Sequence, residues 1–407
     1  MEIMDNKRAL GGLRVIECAT LRAGPYCAKL LADLGAEVIK VEDPACGDGS
    51  RMWGPFPDDN PDLEKSGLFL WLNANKLGIT VDLKSVLGYK VIKMLLKDAD
   101  IFIEDFSIST AIELGLDYET LRKLNPRLVI ASVTPFGQGG PYKDYKAYEI
   151  NCSAAGGLST ATGDPEREPL VFPVFAADYQ AGVGSAIGTL LAVLARGKTG
   201  RGQHVDTSKV EVLAEISGQY LVRYIYQGVT GVRRGNHGIM GYYPCSCLPC
   251  KDGYVVMVAP QLAQWVRFVK LMGEPEWSKD PRYRDRRRMN AEYIDECDAI
   301  ILPWVKEHTK DEILSIAIEN HLPFSPVQTV DELVNSPQLE ARGFFGNLFH
   351  PEAGLLQYPG SAYKLSQTPT RLESPAPRLG EHNKEVLCDR LGYSEEELTK
   401  LQEYGVI

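Results

Sequence analysis

The chain has 407 residues, 44% of them hydrophobic, enough to bury a large core and too many for one simple core, so two domains are expected. Its net charge of −10, with acidic and basic residues interspersed, argues against nucleic acid as a partner, since that demands a basic face. No stretch of about 18 uncharged apolar residues occurs and the start, MEIMDNKRAL, is charged, so neither a membrane span nor a signal peptide is expected and the cytoplasm is the expected location.

In chain order, Arg14 to Ala19 reads as a short strand, followed by the turn TLRAGP, a helical pattern from Tyr26 to Leu34, Gly35 and a second strand, AEVIKVE. Strand, turn, helix and strand in this order form a βαβ unit and imply a parallel sheet. The turn opens a helix, so the N–H groups of Arg22, Ala23 and Gly24 are placed to face an anion or a developing oxyanion. The spacing GxGxxG is missing, so nothing here supports a dinucleotide site. After a polar Gly/Pro-rich segment, LFLWLNANKLGITVDLK carries two short strand-like runs around Asn75 and Lys76. A loop with those two residues suits an anionic or purine ligand, and equally an ordinary exposed turn. Val86 to Asp98 is an amphipathic helix, Ala99 to Glu104 a buried strand, Tyr118 to Leu124 a short helix and Arg127 to Val133 a further strand. The repeated alternation makes the N-terminal half a doubly wound α/β domain.

The next loop, PFGQGGPYKDYKAYEIN, contains Gly137 and Gln138 and follows a parallel strand at the end where such sheets hold ligands. From Leu170 an apolar run reads as a strand, Asp178 as the N-cap of a helix, and Arg196 to Gly202 as the turn that ends it. A carboxylate there is kept ionised by the helix N-terminus and stripped of water by apolar neighbours, so it can attack a thioester carbonyl. A pre-helical Asp is also the commonest kind of plain cap. Ser208 to Gln227 reads as one long helix, and the Gly-rich basic stretch VTGVRRGNHGIMGYYPCSC as the linker between domains. Nine cysteines scattered over the chain read as reduced thiols. Cys245, Cys247 and Cys250 cluster, but no second CxxC or HxxxH completes a ligand set, and His204 and His237 lack metal spacing, so no metal site is expected. Lys251 to Gln328 reads as a smaller α+β domain, with the strand GYVVMVA, helices at Leu262 to Met272, Ala291 to His308 and Lys310 to Asn320, and the strand SPVQTV. RYRDRRRMN reads as a solvated helix start. The tail from Phe344 has strands, a Pro-rich stretch and two helices, with a capping box at Ser394 to Glu397. The resulting division is 1–228, a large Rossmann-like domain, 229–335, a small α+β domain, and 336–407, a return to the large domain.

The landmarks LGGLRVIECATLRAGPYCAKLLADLGAEVIKVE, PFGQGG, the Asp178 segment with ARGKTGRGQHVD, CKDGYVVM, NSPQLEARGFF and PRLGEHNKEVL follow one another end to end, and with them the chain resembles a class III CoA-transferase of the formyl-CoA and carnitine CoA-transferase type. The resemblance implies two chains interlocked like links, as a homodimer or as a heteromer with a homologous subunit. It implies no tightly bound cofactor, with coenzyme A thioesters and a small carboxylic acid as substrates. Asp178 matches the catalytic aspartate, which forms aspartyl anhydrides and an aspartyl-CoA thioester. Ala23 stands in the place of the oxyanion donor, Arg22 where several relatives carry Gln, and Glu149 at an acid near the reacting centre. Asn75, Lys76 and Phe106 match contacts to the CoA nucleotide end, and Lys146 lies near the phosphates.

Two departures bear on CoA. Pro44 and Glu113 replace arginines that hold its phosphates in formyl-CoA transferase, which shifts the grip to Arg51, Lys143 or the partner chain. VAPQLAQW replaces a Gly-rich flap, which weakens an oxalate or formate assignment and leans toward the carnitine and bile-acid type. Succinyl-CoA is the expected donor, and benzylsuccinate or a carnitine-like acid the candidate acceptor. The alternatives are an acyl-CoA racemase of the same superfamily, against which Tyr148 stands in place of the required His, and a weakly active CoA-binding subunit of a heteromeric transferase.

Overall fold

The structure, a computed structural model, describes residues 8–238 and 241–407. The start of the charged N-terminal stretch and residues 239–240 of the Gly-rich linker lie outside them. The chain divides into two units: residues up to 158, 171–228 and 340–407 form the larger, and 159–170 with 229–339 the smaller. Residues 159–170 therefore group with the smaller unit, although they precede the linker in sequence.

The larger unit is built on a parallel sheet with the order β3-β2-β1-β4-β5-β6. Its strands are β1 (Arg14–Cys18), β2 (Glu37–Glu42), β3 (Lys76–Thr80), β4 (Ile101–Glu104), β5 (Val129–Thr134) and β6 (His204–Ser208). Alternate strand residues feed two cores. Ile16, Ile39, Ile79, Phe102 and Ile130 pack under Val91, Ile92 and Leu95, together with Val386, Leu387, Leu398 and Leu401 of the C-terminal return. Val15, Val38, Ile101, Ile103 and Val129 pack on the other face against Cys27, Ala28, Leu31, Ala186 and Ala192. Burial of both faces explains why these strands read as continuous apolar runs. The order reverses between β1 and β4, which places the crevice for a ligand outside the carboxyl ends of those strands.

The helices that position the site are α1 (Ala23–Asp33), α2 (Gly67–Asn73), α3 (Val86–Lys97), α4 (Ile108–Glu113), α5 (Tyr118–Leu124), α6 (Glu149–Ala155), α7 (Ala176–Thr199), α8 (Lys209–Ile216) and α9 (Gly218–Gln227). Several differ from the sequence expectation. LFLWLN is helix α2, started by Ser66, whose Oγ accepts the Phe69 N–H at 3.1 Å; a short buried apolar run has no period by which strand and helix can be told apart. Leu170 to Phe175 forms no strand, since Pro173 interrupts any ladder there. The stretch after Gly202 is strand β6, and the single helix expected beyond it breaks at Ser217 into α8 and α9.

In the smaller unit β7 (Cys245–Cys250), β8 (Gly253–Val258) and β9 (Phe324–Pro326) form an antiparallel sheet. Helices at Leu262–Leu271, Ile294–Glu307 and Lys310–Glu319 pack on it around Trp265, Phe268, Ile301, Val305 and Ile313. Arg286, in the run read as solvated, is buried and donates to the Ala259 and Pro260 carbonyls. No helix of the described residues is long and apolar enough to cross a membrane.

Helices α1 and α7 lie in close contact because α7 presents small residues. A Cβ added at Gly182 would stand 2.8 Å from the Ala23 carbonyl oxygen and 3.0 Å from the Tyr26 ring. Gly182→Ala should therefore push the helices apart and lower stability by about 1–3 kcal/mol, read from urea midpoints. An unchanged midpoint would mean that the contact is soft.

Candidate active site

Asp178 is the third residue of α7, not its N-cap; Phe175 occupies that position. The capping role falls to Glu149, the first residue of α6. Its Oε1 accepts the Ala177 N–H at 3.0 Å and the Ser153 hydroxyl at 2.8 Å, and its Oε2 accepts the Asp178 N–H at 3.0 Å. Because another helix supplies the cap, the Asp178 side chain is free for other partners.

Those partners are cations. Lys209 Nζ lies 2.7 Å from Asp178 Oδ1, and Arg22 Nη1 lies 3.8 Å from Oδ2. Both Asp178 and Arg22 are only 5% exposed. Burial works against the Lys209 charge, but the Asp178 carboxylate outweighs it and holds the ammonium above the ordinary lysine range. Nothing in the sequence marked Lys209: a lysine opening a helix reads as a surface residue, and its place opposite Asp178 depends on the unrecognised strand β6.

Ala23 opens α1, where its N–H has no intrahelical acceptor, and it packs beside Ala181 and Val133, so the first turns of α1 and α7 face each other. Arg22 occupies the N-cap position without a side-chain cap bond. Its guanidinium stacks on Phe175 at 3.4 Å and Trp53 at 4.5 Å, measured from Cζ to the ring centroids. The loop before it is strained: Leu21 has φ +61°. Two carboxylates hold it. Asp105 accepts the Thr20 N–H at 2.8 Å, and Asp48 accepts the Leu21 N–H at 3.0 Å.

The same loop borders a cleft of about 210 Å³ at the carboxyl ends of the strands, lined among others by Thr20, Val41, Asp48, Lys84, Phe106 and Leu114. Phe106, matched to the nucleotide end of CoA, is thus in the crevice. Asp43 and Leu114, chain neighbours of Pro44 and Glu113, also line it. Lys84 is exposed and forms no ion pair among the described residues. Gly137, at φ +80°, turns the loop after β5 so that the Gln138 N–H reaches Asp206 at 3.0 Å, while the Gln138 side chain donates to Glu104 at 3.1 Å. Lys146 is exposed on the following loop.

Three expected ligand contacts are corrected. Arg51 is fully buried, its guanidinium bonded to Glu42, Glu64 and the Leu63 and Pro377 carbonyls. Lys76 Nζ is buried on Glu17, Asn73 and the Pro25 carbonyl. Asn75 spends its amide on Asp33 and the Arg371 carbonyl and accepts the Glu373 and Ser374 N–H groups, tying down the C-terminal return. With donors engaged inside the fold, none of the three is presented to a phosphate.

Glu104 ends β4 beside this crevice. Burial pushes its carboxyl from the ordinary 4.5 up to about 8, outweighing hydrogen bonds from Ser132 and the Phe106 N–H. Between those two values the native protein keeps a proton that the unfolded chain has lost, so this group makes stability fall as pH rises through that window. Glu104→Gln, neutral and of the same shape, should flatten that fall by on the order of 2–4 kcal/mol. Urea midpoints of both proteins near pH 5 and above pH 8 check it, and parallel curves would refute the burial argument.

The chain matches the model of CoA-transferase family III over residues 10–383. It is 32% identical over 390 residues to a succinate–glutarate CoA-transferase of Agrobacterium fabrum, covering 95% of this chain and 97% of the relative. It is 34% identical over 404 residues to a succinyl-CoA–D-citramalate CoA-transferase of Chloroflexus aurantiacus, covering 98% of both. The beta subunit of a succinyl-CoA–L-malate CoA-transferase from the same organism is 31% identical, again with 98% of both covered. Among solved structures, a CaiB/BaiF family protein from Brucella suis superimposes with a TM-score of 0.85 at 30% identity, over 94% of this chain and 100% of that one.

Proposed function

The chain belongs to CoA-transferase family III, and from that premise we propose that it moves CoA from succinyl-CoA to a small carboxylic acid through covalent intermediates on Asp178. The observation that carries the residue assignment is the buried Asp178 carboxylate, ion-paired to the partly buried Lys209 at the start of a helix capped by a different carboxylate. Such a carboxylate is paired with a cation, shielded from water and not needed as a cap.

In the proposed sequence Asp178 attacks the thioester carbonyl and the C–S bond breaks, giving a mixed anhydride and CoA thiolate. The thiolate attacks the aspartyl carbonyl and releases the donor acid, leaving an aspartyl-CoA thioester. The acceptor carboxylate attacks that thioester and expels the thiolate, which then attacks the acceptor acyl carbon and frees Asp178. Every step passes through an oxyanion, for which the Ala23 N–H is the proposed donor. Acylation removes the Asp178 charge, and the Lys209 ammonium is then available to the departing thiolate or carboxylate. The nucleotide end of CoA is assigned to the cleft at the strand ends, against Phe106, with Lys84 as the cation that lines it. Gly137 and Gln138, on the loop held by Asp206 and Glu104, are assigned to the CoA chain, and Lys146 is left to the phosphates. Benzylsuccinate and a carnitine-like acid are the candidate acceptors.

The same reading pairs two chains, interlocked as in the family. Its support is exposed apolar surface: Ile187, Leu191 and Leu194 share one face of α7 and are 56–70% exposed, and α9 buries no residue while exposing Leu221, Val222 and Ile225. Leu191→Asp combined with Ile225→Asp should convert a dimer to monomers or insoluble protein in light scattering; an unaltered dimer would remove this support. A second reading, one subunit of a heteromer, draws on the relative named as a beta subunit. Native mass spectrometry with and without a homologous partner separates the two.

Asp178→Ala should lower turnover with succinyl-CoA by roughly 10⁴-fold or more and abolish hydroxylamine trapping at that position. It should also cost about 2–3 kcal/mol, because the partly buried Lys209 and the buried Arg22 lose the carboxylate they share. Asp178→Ala with Lys209→Met should recover much of the stability and none of the transfer. Transfer that survives in either variant removes Asp178 from the chemistry, and α-proton exchange without transfer would point to a racemase.

A further inference from the structure

Two cations face Asp178, and only one of them is bonded to it. Lys209, at 2.7 Å, makes the close ion pair. Arg22 Nη1, at 3.8 Å, lies beyond hydrogen-bond range of the same carboxylate. The Arg22 side chain is 95% buried by its 5% exposure, and its Nε meets no acceptor among the described residues. Phe175 and Trp53 lie against the guanidinium, at 3.4 and 4.5 Å. A guanidinium stacked in this way makes further polar contacts through its edge, where its donors lie in one plane as a fork that matches a carboxylate. A buried cation with an orphan donor is costly until an anion meets it. Asp178 cannot fill that need through the reaction, since acylation takes its charge away.

We propose that Arg22 is the specificity-determining residue of the transfer: it takes the second carboxylate of a dicarboxylic substrate while the first reacts at Asp178. The inference rests on the transferase reading and adds a substrate class to it, dicarboxylates over monocarboxylates of equal length. It also separates the two candidate acceptors. A benzylsuccinate-type acid carries the second carboxylate, whereas a carnitine-like acid would bring a quaternary ammonium toward a buried guanidinium.

Succinate and butyrate, four-carbon acids that differ in one carboxylate, provide the test. With the wild-type protein and succinyl-CoA carrying an isotopic label in its acyl group, kcat/KM for succinate should exceed that for butyrate by about 100-fold or more. Arg22→Met should shrink that ratio by a similar factor, chiefly through KM for succinate, and Arg22→Lys should restore part of it. Equal losses with both acids would show that Arg22 acts on Asp178 and not on substrate, and would overturn the inference. The wild-type ratio needs no variant to fold: a protein that gives the hydroxylamine-trapped adduct at Asp178 yet shows no preference for succinate overturns the Arg22 assignment alone. A protein that gives no adduct with either succinyl-CoA or butyryl-CoA overturns the transferase reading, and this inference with it.

Discussion

A chain of buried charges under the β1–α1 loop sets the geometry of everything above it. Lys76 Nζ stands 2.8 Å from Glu17, Lys40 Nζ 3.0 Å from Glu17 and 2.6 Å from Asp48, and all four side chains are shut away from water. Two cations alternate with two anions, so the group is neutral, but it still bears the desolvation of four ions, and apolar residues would fill the space at less cost. Its retention makes sense through what Asp48 does next. The carboxylate accepts the N–H groups of Leu21 and Ser50, fixing a non-glycine residue at φ +61° and with it the direction in which Arg22 and Ala23 leave the sheet. Burial alone would discharge Lys40; Asp48 and Glu17 outweigh it and hold its charge, which in turn keeps Asp48 ionised. The loop is therefore held by groups that cannot neutralise one another by proton transfer without losing the ions that anchor it.

The second constraint is a division of labour between carboxylates at the start of α7. A helix N-terminus leaves free N–H groups, and an aspartate in the first turn ordinarily spends its side chain there. Glu149 takes the Ala177 and Asp178 N–H groups instead. Asp178 then keeps the favourable field of the helix without being bound to its end, and turns toward Lys209 and Arg22. Four elements, α1, α6, α7 and the start of α8, have to be in place for this one carboxylate to be both buried and paired with cations.

Much of the sheet was legible in the sequence because strands buried on both faces leave near-continuous apolar runs, as in RVIEC, EVIKVE, IFIE and VIASVT. The strand His204–Ser208 was not, since HVDTS sits at the sheet edge with a polar half and follows a Gly/Arg turn. Losing it hid Lys209. Asp178 stood out only through its register among landmarks, as the local pattern of an apolar run and an acid is that of a cap. Arg51 and Lys76 were misread for a converse reason: cations in Gly-, Asn- and Pro-rich surroundings suggest anion binding, and a sequence does not show that Glu42 or Glu17, distant in the chain, already holds them. Charge type was readable; charge pairing, which depends on strand order, was not.

Those misreadings matter for how the site discriminates among anions. Cations already matched to buried acids are silent toward a ligand, however many the composition contains. What counts is a donor left over: beside Asp178 the Arg22 Nε meets no acceptor among the described residues, and along the cleft Lys84 is exposed and in no ion pair among them. A CoA ester of a dicarboxylic acid carries negative charge at both ends, on the nucleotide and on the free carboxylate. A protein of net charge −10 repels such a molecule over most of its surface. Under the proposed reading, the two donors left over, Lys84 at the strand ends and Arg22 beside Asp178, are the points that meet its two charged ends.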